Sequence, residues 1–168
     1  EFRRFLIHIG QWRILNLFSE RPENKSIDEI VTSARMLSEK GYGALIVITR
    51  GVQLAPIVSS GTQIDSHVSH QLLLTIFTPG TPLHDLAVVI RGDRVAAANC
   101  LLPLSESSDI DDSLGSRHRA ALGITEESDA IVVVVSEETG GISIAMDGKL
   151  FRNLTPVDLK NRLVSMMK

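Results

Sequence analysis

"ALIVIT", residues 44–49, decides the fold. It is short, rich in β-branched side chains and apolar on both faces, so it reads as a central strand covered from above and below. A strand with one face in water would alternate apolar with polar. "AIVVVV", residues 130–135, reads as a second buried strand. Around them the chain alternates helical and strand patterns, which predicts an α/β fold: a single domain with a central mixed β-sheet flanked by α-helices.

Before the first strand, "SIDE" forms a capping box, with Ser26 accepting from the backbone of Glu29 and the Glu29 carboxylate reaching back. That predicts a helix starting there, with Ile27, Ile30, Val31, Ala34 and Leu37 as its buried stripe. Lys40 suits its carbonyl end and Gly41 its stop. After the strand, Arg50 to Ser66 reads as loop. A helix then carries Val68, Leu72, Leu73, Ile76 and Phe77, with Pro79 beyond its end.

"LAVVI" and "RVAAANCLL" flank Gly92-Asp93, a two-residue hairpin signal, and "GISIAM" with "KLFRNL" flank Asp147-Gly148 in the same way. Between the hairpins a helix contains or follows Arg117, His118 and Arg119 and carries Ala120, Ala121 and Leu122. Thr155, Pro156 and Asp158 supply an N-cap, a first-turn proline and a favourable charge for a final helix bearing Leu159, Leu163 and Met166. At the other end Phe2, Phe5, Leu6, Ile9, Ile14 and Leu17 suggest an amphipathic helix, broken near Gly10. The expected organisation is a helical lead-in over residues 1–22 and one domain over residues 23–168.

Composition narrows the function. The 168 residues, 43% of them hydrophobic, suit one compact domain with a substantial core. With 17 Lys and Arg against 20 Asp and Glu, a broad basic surface for nucleic acid is excluded, and any phosphate recognition must be local. The single cysteine, Cys100, makes no internal disulfide, and no cluster has zinc spacing, which fits a reducing setting. No stretch approaches the roughly 20 apolar residues of a membrane span. The chain starts at Glu1 rather than methionine and reads as a piece of a longer protein.

Four polar segments sit at strand or helix ends, where function collects. In "GSRHR", 115–119, Gly115 allows close backbone approach, Ser116 is placed to cap a helix, and two guanidiniums offer fork-shaped donors for phosphate oxygens. The segment reads equally as a solvated helix start with its arginines paired to carboxylates. "PLHD", 82–85, sets His84 and Asp85 before a strand, as a metal or proton site or as plain turn residues. "LLPLSES" spans 101–107. "SEETGG", 136–141, puts Ser136, Glu137 and Glu138 at a strand end, facing a cleft or forming an ordinary hairpin loop.

Taken in order, "PLHDLA", "ANCLLPLSES", "LGSRHRAALG" and "VVVVSEETGGISI" resemble the diadenylate cyclase (DAC) domain, which condenses two ATP into cyclic di-AMP with release of two pyrophosphates. The resemblance runs from about Tyr42 to Leu154 and extends to the helical lead-in of the membrane-associated subtype. It implies that Ser116, in place of the usual threonine, with Arg117, His118 and Arg119, holds the triphosphate. Asp85, Leu86 and Ala87 stand where the family has its DGA motif, whose aspartate is expected to activate the ribose 3′-hydroxyl. His84 and Glu138 match positions that hold a divalent ion (Mn, Mg or Co). Leu102 matches a residue of the adenine site, and Ser136 and Glu137 fall in the ligand-facing loop.

Two departures stand out: Leu86 for the glycine of DGA, and Leu101 where many members carry a stacking tyrosine. Leu86, Ala87 and Leu101 are counted with Leu102 among the substrate-binding positions that the resemblance implies; for the Leu86 side chain, a direction into the core is favoured over one between the nucleotide and the partner subunit, because Leu86 opens the apolar run "LAVVI". The resemblance further implies a homodimer or higher oligomer with facing sites, and the cytoplasmic domain of a membrane-associated bacterial protein with a regulatory partner. The competing functions are a nucleotide-binding regulatory domain that, because of Leu86, does not turn ATP over, and a structural interaction domain.

Overall fold

In the computed structural model, which describes residues 22–107 and 114–167, the chain forms a three-layer α/β domain. The order is α1 (Pro22–Lys40), β1 (Ala44–Ile48), α2 (Ala55–Ser60), β2 (Thr62–His67), α3 (His70–Phe77), β3 (Ala87–Arg91), β4 (Arg94–Cys100), α4 (Ser116–Glu127), β5 (Ile131–Val135), β6 (Ile142–Met146), β7 (Lys149–Phe151) and α5 (Pro156–Met166). The predicted helix over Phe2–Leu17, and with it the lead-in, lies outside the described residues.

The seven strands lie in the order β2-β4-β3-β1-β5-β6-β7. Only β1 and β3 run parallel; every other neighbouring pair is antiparallel, so the sheet is mixed as expected. β1 and β5 sit at the centre and are buried along their whole length, which is why neither alternates. One face of the sheet packs Ala44, Ile46, Ile48, Val88, Val133 and Ile144 against Ile30, Leu37, Phe77, Leu159 and Leu163 of α1, α3 and α5. The other packs Leu45, Val47, Val89, Val132 and Val134 against Ala121 and Ile124 of α4, with Ile57 and Val58 of α2 at its margin. Each fully buried Leu, Ile or Phe contributes about 1.5–3 kcal/mol relative to exposure, so the two clusters supply the main driving force.

The turns follow their residues. Asp147 and Gly148 both have positive φ (50° and 68°), as a type I′ hairpin requires. Gly41, at φ 68°, ends α1, with its N–H on Ser38 O and that of Tyr42 on Leu37 O. Thr155 and Asp158 make a reciprocal capping box at the head of α5, and Pro156 occupies its first turn.

Three expectations are corrected. α1 already includes Pro22, so Ser26 is a buried residue inside the helix rather than its cap, and Glu29 instead accepts from the backbone and ring of His70. Arg50 to Ser66 is not all loop: Pro56 stands in the first turn of the short α2, and "TQIDSH" forms the edge strand β2, whose exposure removes the apolar alternation that would reveal it. The N-cap of α4 is Gly115, with no side-chain cap bond, and Ser116 is its first helical residue.

Candidate active site

β1 and β3 begin at the edge of the sheet where β4 and β5 end, because β1 pairs parallel with β3 while β3 pairs antiparallel with β4 and β1 with β5. The segments before β1 and β3 and after β4 and β5 therefore meet, joined by the start of α4. Between them lies a cleft of about 730 Å³ lined by Gly43, His84, Asp85, Leu86, Asn99, Cys100, Leu101, Leu102, Leu104, Ser116, Arg117 and Glu137, among others. A smaller pocket of about 100 Å³ adjoins it, sharing Ser116, Arg117 and Glu137 and adding His118, Ser136, Glu138, Ser143, Arg152 and Asn153.

Arg117 stands at the junction. Its guanidinium pairs with the Glu137 carboxylate at 2.9 Å, and its side chain is 22% exposed, so it is held and still reachable from solvent. His118, by contrast, is buried. Burial lowers its pKa first, with the nearby Arg152 and Arg117 acting in the same direction and Glu138 opposing them. The ring is thus kept neutral, and the Arg-His-Arg run is not three surface cations. Arg119 lines neither pocket; its carbonyl accepts from Ser105 N at 3.0 Å and ties α4 to the segment after β4. That segment lies so close to α4 that a side chain at Gly123 would collide with the Pro103 carbonyl and with Ser105 N.

His84 Nδ1 lies 2.6 Å from Thr81 O, and a carbonyl only accepts, so this nitrogen carries the proton. Nε2 then faces Asp85 Oδ1 at 3.5 Å, and the Asp85 carboxylate is exposed to the cleft. A ring nitrogen oriented through its other N–H, beside a carboxylate, is the donor set a divalent cation takes. His84 and Glu138 line different pockets, so the expected pair of metal ligands is not gathered in one place. Among the described residues no group of three or more His, Cys, Asp or Glu is placed to hold a metal.

Leu86 is a correction. It lies at φ 61°, is 41% exposed and lines the cleft, rather than turning into the core. The left-handed backbone breaks the alternation of the strand, which starts only at Ala87, and reverses the inference drawn from "LAVVI". Ala87 is fully buried in the cluster beneath α4 and lines neither pocket. Leu101 is 61% exposed on the cleft wall and Leu102 lies buried behind it. Burial pushes the Cys100 thiol up to about 11, so it is neither nucleophile nor thiolate ligand at neutral pH.

Ser136, Glu137 and Glu138 belong to the tight β5–β6 loop, closed by Ser136 N on Gly141 O and Gly140 N on Ser136 O, and pinned to α1 by Ser38 Oγ on Gly140 O at 2.6 Å. Several lining residues escape a reading of the sequence. Asn99 enters the cleft at φ 56°, where the β3–β4 register shifts, and Arg152 reaches the smaller pocket from the end of β7. Neither carries a local signal except an asparagine, a residue that tolerates positive φ.

The family described as "DAC: DisA bacterial checkpoint controller nucleotide-binding" matches residues 31–150. The chain is 41% identical over its full length to the cyclic di-AMP synthase CdaA of Bacillus subtilis (strain 168), of which it spans 63%. Over 98% of its length it is 41% identical to the diadenylate cyclase of Listeria monocytogenes (strain 10403S), spanning 61% of that protein. It thus covers less than two thirds of these relatives. A crystal structure of a double mutant of DacA from Staphylococcus aureus matches with a TM-score of 0.85 at 42% identity, covering 88% of this chain and 99% of that one.

Proposed function

The chain belongs to the DAC family, and we propose that it is a diadenylate cyclase, condensing two ATP into cyclic di-AMP and two pyrophosphates. One observation carries the reading: Asp85, which can take a proton, and Arg117, which can hold phosphate, line a single cleft large enough for a nucleotide. Its wall of Leu86, Leu101 and Leu102 suits the face of an adenine ring. The polar end, at Ser116, Arg117 and the first turn of α4, suits the triphosphate, where guanidinium forks and helix N–H groups favour anions.

In the proposed reaction Asp85 accepts the proton of one nucleotide's 3′-hydroxyl. The oxygen then attacks the α-phosphorus of the other nucleotide, forming the O3′–P bond as the bond to pyrophosphate breaks. A second such step closes the ring. Arg117 offsets charge on the phosphates. His84 and Asp85 would hold a divalent metal in the cleft, while Glu138, in the adjoining pocket, is not gathered with them. When bound, the metal would lower the pKa of a hydroxyl and neutralise phosphate charge. Because the reaction needs two nucleotides and the described residues form one cleft that brings Asp85 and Arg117 together, two subunits facing each other form the active unit.

Among the described residues no helix is long and apolar enough to cross a membrane. We place the domain on the cytoplasmic side of a membrane-anchored bacterial protein, since ATP is there and the full-length relatives are longer than this chain.

A second reading, a nucleotide-binding domain without turnover, is favoured by Leu86 alone, which projects into the cleft where the family has glycine. Incubation with ATP and Mn²⁺, Mg²⁺ or Co²⁺ in separate tubes, followed by chromatography, decides. Cyclic di-AMP in any tube establishes the cyclase. Saturable ATP binding with no product establishes the regulatory domain, and absence of both rejects the two readings.

A further inference from the structure

We propose that Gly43 is a positioning residue of the phosphate site: its bare backbone is the seat on which the Arg117 guanidinium lies. The proposal rests on the reading of Arg117 as a ligand of the nucleotide's phosphates. A Cβ built on Gly43 would stand 2.6 Å from Arg117 Cζ, 2.8 Å from Nη1 and 3.0 Å from Nε, and these are its three nearest heavy atoms. Gly41, two residues earlier, makes the contrast. It has φ 68° with nothing within 4 Å of the position its Cβ would take, so its role is the backbone turn ending α1. Gly43 is required by a neighbour instead.

The same Nη1 pairs with the Glu137 carboxylate at 2.9 Å. Arg117 therefore lies against the residue preceding β1 and is paired with the residue after next beyond the end of β5, two strands that pair along their length. Gly43, Arg117 and Glu137 all line the cleft. A planar guanidinium fixed in this way before the nucleotide arrives loses less freedom on binding than one that must be ordered by it. The atoms a Cβ would strike are the far end of a flexible side chain, so alanine at 43 displaces the guanidinium while the strand remains where it is.

The test uses the unreactive analogue α,β-methylene-ATP with Mg²⁺, titrated calorimetrically into wild type, Gly43→Ala, Arg117→Ala and the double variant, with a thermal midpoint for each. Gly43→Ala is expected to raise the dissociation constant about tenfold, the loss of one charge-assisted contact. In the Arg117→Ala background the same change should have no further effect, since contacting residues do not add. Adenosine, which has no phosphate, should bind equally to wild type and Gly43→Ala.

Wild-type affinity in Gly43→Ala overturns the proposal, as does an undiminished penalty in the Arg117→Ala background. If Gly43→Ala fails to fold, the double variant decides: recovery with Arg117 truncated supports the collision, and continued failure assigns the glycine to backbone packing and overturns it. An Arg117→Ala variant that binds the analogue normally removes the phosphate role of Arg117 itself, a failure visible without reference to Gly43.

Discussion

Glu29 of α1 accepts from both the backbone N–H and the ring Nδ1 of His70, each at 2.6 Å, and so satisfies the first residue of α3 from a different helix. The backbone hydrogen bond is the largest influence lowering the Glu29 pKa, ahead of the opposing effect of burial and the side-chain bond to His70. Its folded value lies below its unfolded one, so the stability it gives is present above about pH 4.5 and is lost as pH falls through the folded value. Glu29→Gln should lower the thermal midpoint at pH 7 by about 2–4 °C, equivalent to about 1 kcal/mol. Melting curves should converge with wild type as pH falls below 4.5 and through the lowered folded value; curves that stay parallel throughout the acid range would remove the carboxylate from the account.

Asp85→Asn keeps the shape of the side chain and loses both the proton acceptor and the charge beside His84 Nε2. Cyclic product should fall by about 100-fold or more, while binding of α,β-methylene-ATP stays within about threefold of wild type. Chromatography and calorimetry on the same preparation check the pair. Equal turnover by the two proteins would take Asp85 out of the chemistry.

Leu86→Gly sets two opposed effects against each other. A left-handed residue with a side chain is penalised by about 1–2 kcal/mol, and the extra freedom of glycine in the unfolded chain costs about 0.5–1 kcal/mol. Since Leu86 is substantially exposed, little apolar burial is lost, and the balance favours glycine. The thermal midpoint should rise by about 1–3 °C. The initial rate should rise too, because the side chain leaves the cleft. A variant less stable than wild type would show that Leu86 packs in a way its exposure does not express.

His118 enters the folded state neutral, its pKa depressed mainly by burial, whereas the unfolded chain takes up a proton at the ordinary value of 6.5. Its effect on stability is therefore absent at high pH and becomes destabilising as pH falls below about 6.5 towards the folded value. The urea midpoint of wild type should drop between pH 7.5 and 5.5. His118→Gln, less stable at pH 7.5 through imperfect packing, should lose less over that interval. Equal slopes would show that other groups carry the acid sensitivity.

The sequence makes the centre of the fold legible for a physical reason. β1 and β5 are covered on both faces, so their composition records it, and the Asp147-Gly148 hairpin and the Thr155 capping box are local and read directly. β2 is hidden because an exposed edge strand selects polar residues, and the capping pattern at Ser26 misleads because the helix already runs through it. At the site, the four polar segments are visible as loops between periodic elements. The direction of Leu86 is not, since it depends on one dihedral angle that breaks the alternation from which direction is inferred. Gly43 is equally silent: the arginine that explains it is far along the chain, and nothing around the glycine mentions it.

The register Ala44 with Val135 brings Gly43 and the loop bearing Glu137 to the same end of the sheet only when β5 lies beside β1. During synthesis β1 to β4 leave the ribosome well before β5, so a growing chain owns the leucine wall and the His84–Asp85 pair but has no grip on Arg117. The ability to hold a nucleotide is then acquired in one of the last steps of assembly. A nucleotide held in that cleft would stabilise the finished sheet and leave its precursors unassisted, and so would act as a check on completion.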